Sequence, residues 1–233
     1  MTEESQVNIP QLYSKFRAPI SALDCGDRCA PYNEWGVPFC CDTRHAVPTA
    51  YQDEWEFLAA NTNLWRLWKP DNPGDTAHLR EQTPQGQVLI ACQGHEYCQR
   101  DFRSITCRSF PFFPYIDRNN QFLGLSYYWG YENRCWIISN LSIVTYQYIQ
   151  EFAAAYDTLF EIKPDELGAF RYHSIAMRRT FGRRRRAIPL LHRNGGAYKI
   201  TPRNGRIRRV SIESFGKFEP YKTAAEMPFP DGT

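Results

Sequence analysis

Eight cysteines in two groups far apart in the chain limit this sequence more than any other feature. The first group is C-x3-C-x10-CC, formed by Cys25, Cys29, Cys40 and Cys41; the second is C-x5-C-x8-C, formed by Cys92, Cys98 and Cys107; Cys135 stands alone. Groups this distant share a site only if folding closes it. The cysteines sit among Gly, Asp and Pro, in segments that read as polar loops, so burial as small apolar residues is a poor account of all eight. Nor does the chain need covalent staples, because 233 residues with 42% hydrophobic and 15% aromatic content suffice for a sizeable core.

The opening MTEESQVNIPQLYSKF lacks the basic and apolar regions of a secretory signal. No apolar run approaches the roughly 20 residues that cross a bilayer. A cytoplasmic chain with no membrane partner is therefore expected, and in a reducing cytosol clustered cysteines read as metal ligands before they read as disulfides. Thiolates suit iron-sulfur clusters and zinc, usually four to a centre, so eight cysteines could serve two centres, or one centre with thiols in other roles. A radical-type C-x3-C-x2-C run would need a cysteine at position 32, where Tyr32 stands. Paired C-x2-C zinc knuckles and the bacterial ferredoxin run are absent too. His45 and His95 lie near enough in sequence to be substitute ligands. In extended backbone the vicinal Cys40 and Cys41 would point apart and serve different atoms. Arg103 and Arg108 flank Cys107; fixed guanidinium groups there would offset thiolate charge and donate hydrogen bonds to sulfur. The competing assignment is an ion pair with Asp101 or Asp117.

The element pattern predicts an α+β fold: an irregular cysteine-rich metal-binding core with short strands, packed by helices, plus a small C-terminal antiparallel sheet. Residues 1–47 read as loop-rich. Trp55, Leu58 and Ala59, then Leu64, Leu67 and Trp68, suggest one or two short helices ending before Pro70, and DNPGDTA reads as a turn. QVLIAC and FLGLSYYWG read as strands joined through a cysteine loop and an RNNQ turn. The aromatics Phe110, Phe112, Phe113, Tyr115, Tyr127, Tyr128 and Trp129 are assigned to the core around the cysteines. Leu141, Val144, Tyr148, Phe152, Ala155 and Leu159 recur at helical spacing, and a second helix runs from Pro164 to about Gly182. AIPLLHR, GGAYKI and RIRRVSI, separated by NGG and PRNG, predict the small sheet, followed by an extended tail from about Phe218. Residues 1–170 are expected to form the cysteine-cluster region and 171–233 a basic helix end with its β appendage, together one compact unit.

The cysteine order resembles the YkgJ-like family of zinc- or iron-chelating cysteine-cluster proteins, which includes flagellin lysine N-methylases. Cys25, Cys29, Cys40 and Cys41 match its opening cysteines and CC pair. Cys92, Cys98 and the RSITCRSFP stretch match its later cysteines and its Arg-Pro-x-x-Cys-Arg-x-Phe-Pro signature, through Arg103, Cys107, Arg108, Phe110 and Pro111, with Ser104 in place of the proline. Cys135 corresponds to the lone late cysteine. The resemblance covers roughly residues 20 to 140, with ten residues between Cys29 and Cys40 where the family has two. It implies a metal centre, a 4Fe-4S cluster ahead of zinc, and admits S-adenosylmethionine as a methyl donor. No Gly-rich strand-to-helix turn supports a dinucleotide-type cofactor domain. No Ser-His-Asp set, P-loop or H-E-x-x-H motif supports hydrolysis by a familiar route.

The formal net charge of +3 hides an asymmetry: residues 171–210 hold thirteen of the 28 Lys and Arg residues and no Asp or Glu. A positive surface over 171–209 is expected, suited to an acidic protein or anionic substrate, with nucleic acid a further candidate.

Overall fold

The computed structural model describes residues 8–69, 81, 83–84 and 86–224. The DNPGDTA turn lies outside the described residues. The fold is mixed α+β, built on two antiparallel sheets. The larger sheet carries strands β4 (Phe112–Ile116), β5 (Phe122–Tyr127), β6 (Ile188–His192), β7 (Ala197–Ile200) and β8 (Ile207–Arg209), hydrogen-bonded in sequence order. In the smaller one β3 (Gln87–Cys92) is central, flanked by β1 (Thr49–Tyr51) and β2 (Trp65–Leu67).

The N-terminal stretch is less irregular than expected. It includes α1 (Ile9–Ser14) and α2 (Cys25–Cys29), followed by α3 (Gln52–Asn61) ahead of β2. Trp65 to Leu67 therefore belong to a strand and not to a second helix, because pairing with β3, Trp65 opposite Cys92, satisfies their backbone in extended form. Short helices follow at α4 (Ile105–Ser109) and α5 (Trp136–Ser139), then the two long ones, α6 (Tyr146–Ile162) and α7 (Pro164–Arg183), and a final turn, α8 (Tyr221–Ala224), interrupts the expected extended tail.

Both long helices follow from their sequence. Thr145 caps α6 by accepting from the Tyr148 amide at 3.1 Å, and Tyr148, Ile149, Phe152, Ala155, Tyr156 and Leu159 bury one face. Pro164 starts α7 with Asp165 and Glu166 in its first turn and Arg183 in its last, charges that suit the helix dipole.

Strand β4 escaped the sequence pattern because Pro114 sits inside it. It is an edge strand, where a missing N–H is tolerated, and all five of its residues are buried. Helix α7 covers that edge: Ser174 Oγ accepts from the Ile116 amide at 3.0 Å, and Arg178 Nη1 donates to the Ile116 carbonyl at 2.9 Å. A strand end left bare would invite pairing with another chain, and these two side chains occupy both backbone groups of Ile116.

The C-terminal strands do not form a sheet of their own, since β6 pairs with β5 at Gly124 and Leu125 and continues the sheet begun by β4. Farther along, Pro189 has no N–H to give, and its carbonyl is taken by Ser126 Oγ at 2.9 Å. The junction depends on Gly124, whose φ is +148° and where a Cβ would fall 2.3 Å from the Leu191 carbonyl oxygen. Gly124→Ala should therefore destabilise the protein by about 2–3 kcal/mol through backbone strain and overpacking. Urea denaturation checks this, and an unchanged midpoint would show that β5 and β6 can separate without cost.

Candidate metal centre

All eight cysteines are free thiols, Cys29 buried, Cys40 exposed and the other six half-buried. Cys25 and Cys29 occupy the ends of one helical turn, α2, which Asp24 caps by accepting from the Gly26 amide at 2.8 Å. Cys40 and Cys41 end a 3-10 turn over Phe39–Cys41. That turn overrides the expectation that the vicinal pair points apart, and the two sulfurs lie 4.0 Å from each other. Asp42 fixes the turn from behind. It accepts from Asn33 Nδ2 at 3.1 Å and Arg44 Nε at 2.7 Å; burial alone would raise its pKa, yet these bonds hold it down to about 2.

In the second group, Cys92 ends β3, and Cys98 follows a 3-10 turn over His95–Tyr97. Cys107 sits in α4, whose N-cap Ser104 accepts from the Cys107 amide at 3.2 Å. Cys135 is the N-cap position of α5.

Electrostatic contact links the two sequence groups. Burial pushes the Cys107 thiol up to about 12, with Arg103 opposing and Cys41, Cys98 and Cys92 adding to the rise. Burial likewise lifts Cys25 to about 12 and Cys29 to about 11, the first pushed further by Cys29, the second by Cys41. Cys135 is raised by burial and then by Cys25 and Cys29. The contact between the vicinal sulfurs raises the Cys40 pKa and lowers that of Cys41, which Arg103 lowers further. Thiols from both ends of the motif therefore share one region. Among the described residues, no three Cys, His, Asp or Glu side chains already surround one point closely enough to hold a metal ion.

The two arginines differ. Arg103 Nε donates to Cys98 Sγ at 3.0 Å; burial works against its charge, but Cys107 and Cys98 more than offset this and hold its pKa above the ordinary value. Arg108 instead gives its donors to carbonyls, with Nε on Arg103 at 2.8 Å, Nη1 on Phe16 and Nη2 on Asp101 at 2.7 Å, and lies over the Tyr13 ring at 4.2 Å. It bonds the Asp101 backbone, not its carboxylate. His95 is exposed, and His45 lies 3.9 Å from Asp42.

Three neighbours escaped sequence reasoning. Tyr221 is buried against Cys29 and Phe39 and anchored by its hydroxyl to the Arg134 carbonyl at 2.6 Å. Tyr131 donates to the His45 carbonyl at 2.6 Å. Glu54 is fully buried; its Oε1 accepts from Tyr13 Oη at 2.6 Å and from the Ile105 amide at 2.7 Å, tying α3 to the first residue of α4. Only the place of Glu54 in the first turn of a predicted helix hinted at a bonding role.

No family model matches the chain, and neither a curated protein nor a solved structure matches it. The YkgJ-like resemblance thus rests on the motif residues alone.

Burial pushes Glu54 up to about 7, against the opposing pull of Tyr13 and the Ile105 and Tyr51 amides. A raised carboxyl pKa means that the folded state holds the proton more tightly. Its stabilisation is complete below the unfolded value near 4.5 and is lost as pH rises through about 7. That shift corresponds to a loss on the order of 3 kcal/mol. In Glu54→Gln, which keeps an amide oxygen for Tyr13 and Ile105, this fall between the two values should vanish. Urea denaturation at a series of pH values compares the two proteins, and parallel curves would contradict the assignment.

Proposed function

We propose that the chain is an iron-sulfur protein, its centre a 4Fe-4S cluster held by thiolates drawn from the eight cysteines, which works in redox chemistry or as an accessory factor to an enzyme. The observation that carries this reading is that free thiols from distant segments meet at Arg103, whose Nε is 3.0 Å from Cys98 Sγ and whose charge acts on Cys25, Cys41 and Cys107. Soft donors in this number fit a thiophilic metal, and rotation about the cysteine side-chain bonds would complete the coordination shell. Bound there, a cluster supplies one-electron transfer.

The surrounding residues have separate tasks. Arg103 offsets thiolate charge and donates to sulfur, which raises a cluster's reduction potential. Phe39, Tyr221 and the half-buried Trp136 pack beside Cys29 and limit the approach of water. Because most of the thiols have raised pKa values, metal loading releases protons and strengthens as pH rises.

Zinc is the second choice of metal. Use of S-adenosylmethionine as a methyl donor rests on the family resemblance alone.

Protein purified without oxygen should contain iron and acid-labile sulfide, and Cys107→Ala should lose most of both, since a methyl group cannot replace a thiolate ligand. Stoichiometric zinc without sulfide would select the zinc reading. In Arg103→Gln the cluster should remain but its reduction potential should fall, by roughly tens of millivolts, as a neighbouring positive charge is removed. Protein-film voltammetry measures that shift, and an unaltered potential would remove Arg103 from any tuning role.

A further inference from the structure

Helix α7 and the loop between β7 and β8 enclose an open hollow of about 800 Å³, distinct from the cysteine region. Six arginines line it: Arg118, Arg171, Arg178, Arg179, Arg183 and Arg203, with no acidic residue in the lining. Two of them are built into the wall. Arg118 Nη2 donates to the carbonyls of Pro202 and Arg203 at 3.1 and 2.6 Å, and Arg178 is held by Tyr115 and Ile116. Among the described residues, no carboxylate pairs with Arg171, Arg179, Arg183 or Arg203. The rest of the arginine run behaves differently, because Arg184 and Arg186 bind Glu132, with Arg186 bidentate at 2.9 Å, and these two stabilise the fold.

We propose that this hollow binds the phosphate backbone of single-stranded nucleic acid. Arg171, Arg178, Arg179 and Arg183 fall on one helical face with Arg183 twelve positions beyond Arg171, a length of roughly 18 Å that meets several successive phosphates. All six cations are arginine, the residue whose fork matches phosphate oxygens. An exposed ring stands beside them: Tyr172 is 72% exposed and lies on the same flank of α7 as Arg179 and Arg183, seven and eleven positions on. An arginine-lined groove with an aromatic platform is what strand binding without sequence preference requires, whereas an acidic peptide gains little from the ring. The proposal is independent of the metal reading, since no cysteine lines the hollow.

The test is fluorescence anisotropy of the full chain with a labelled oligonucleotide of roughly 20 nucleotides, in RNA and DNA forms, from about 50 to 200 mM salt. Replacing Arg171, Arg179 and Arg183 together by Ser should weaken binding at least about tenfold at low salt and flatten the log–log salt slope by about 2. Tyr172→Ala should weaken it roughly fivefold or more and leave the slope alone. These side chains are exposed and carry no carboxylate partner, so thermal melting and metal content should match the parent in both variants. Absence of oligonucleotide binding at low salt, or equal binding by the triple variant, would overturn the proposal. So would equally tight binding of polyglutamate that is indifferent to Tyr172→Ala, which would assign the hollow to an acidic protein.

Discussion

Bringing eight thiols into one region concentrates groups that repel one another as soon as they ionise, so something nearby must carry compensating charge. Arg103 is that group. Its Nε lies 3.0 Å from Cys98 Sγ, and it lowers the pKa values of Cys107, Cys41 and Cys25 while its own charge is secured by the same sulfurs. Without a cation there, burial would raise these three thiols further still, so Arg103 reduces the cost of losing their protons when a metal binds. One guanidinium therefore acts on cysteines of both sequence groups.

The rest of the fold can be understood as holding Arg103 and its thiols in register. Arg108 accounts for much of this, since its three carbonyl contacts stitch residues 101 and 103 to Phe16 near the end of the first helical segment. Tyr148, from the first turn of α6, donates toward the carbonyls of Arg108 and Ser109 at 2.9 and 3.1 Å. Glu54 holds the first amide of the helix bearing Cys107. The burial that places this carboxyl against the Ile105 amide is also what raises its pKa. The cysteine segment is thus supported by side chains from three separate helices, each spending a polar group on backbone.

Much of the fold was legible where a local rule governed it. The apolar spacing from Tyr148 to Leu159, and the Pro164 start with arginines at the end, located α6 and α7 because a helix is specified within its own turns. QVLIAC and the three C-terminal runs were legible as strands for the same reason. What was not legible depended on partners far away in sequence. Trp65 to Leu67 fits both a helical and an extended pattern, and only β3 decides between them. Pro114 argues against a strand until its edge position is known, and nothing in AIPLLHR announces that it will join β5. At the candidate site the cysteines and Arg103 stood out by residue type and spacing, while Glu54, Tyr131 and Tyr221 look ordinary until tertiary packing buries them. Arg108 and the Cys40–Cys41 turn show the same limit, since residue type named them but side-chain direction depended on local backbone.

The central claim is that sulfur from this chain ligates iron. X-ray absorption at the iron edge, on protein isolated without oxygen, reads that bond directly. The account predicts a first shell dominated by iron–sulfur scattering at about 2.3 Å, with a second iron-to-iron shell that marks a cluster. An oxygen- and nitrogen-dominated first shell, or protein that carries no iron while all eight cysteines react with an alkylating probe, would contradict it.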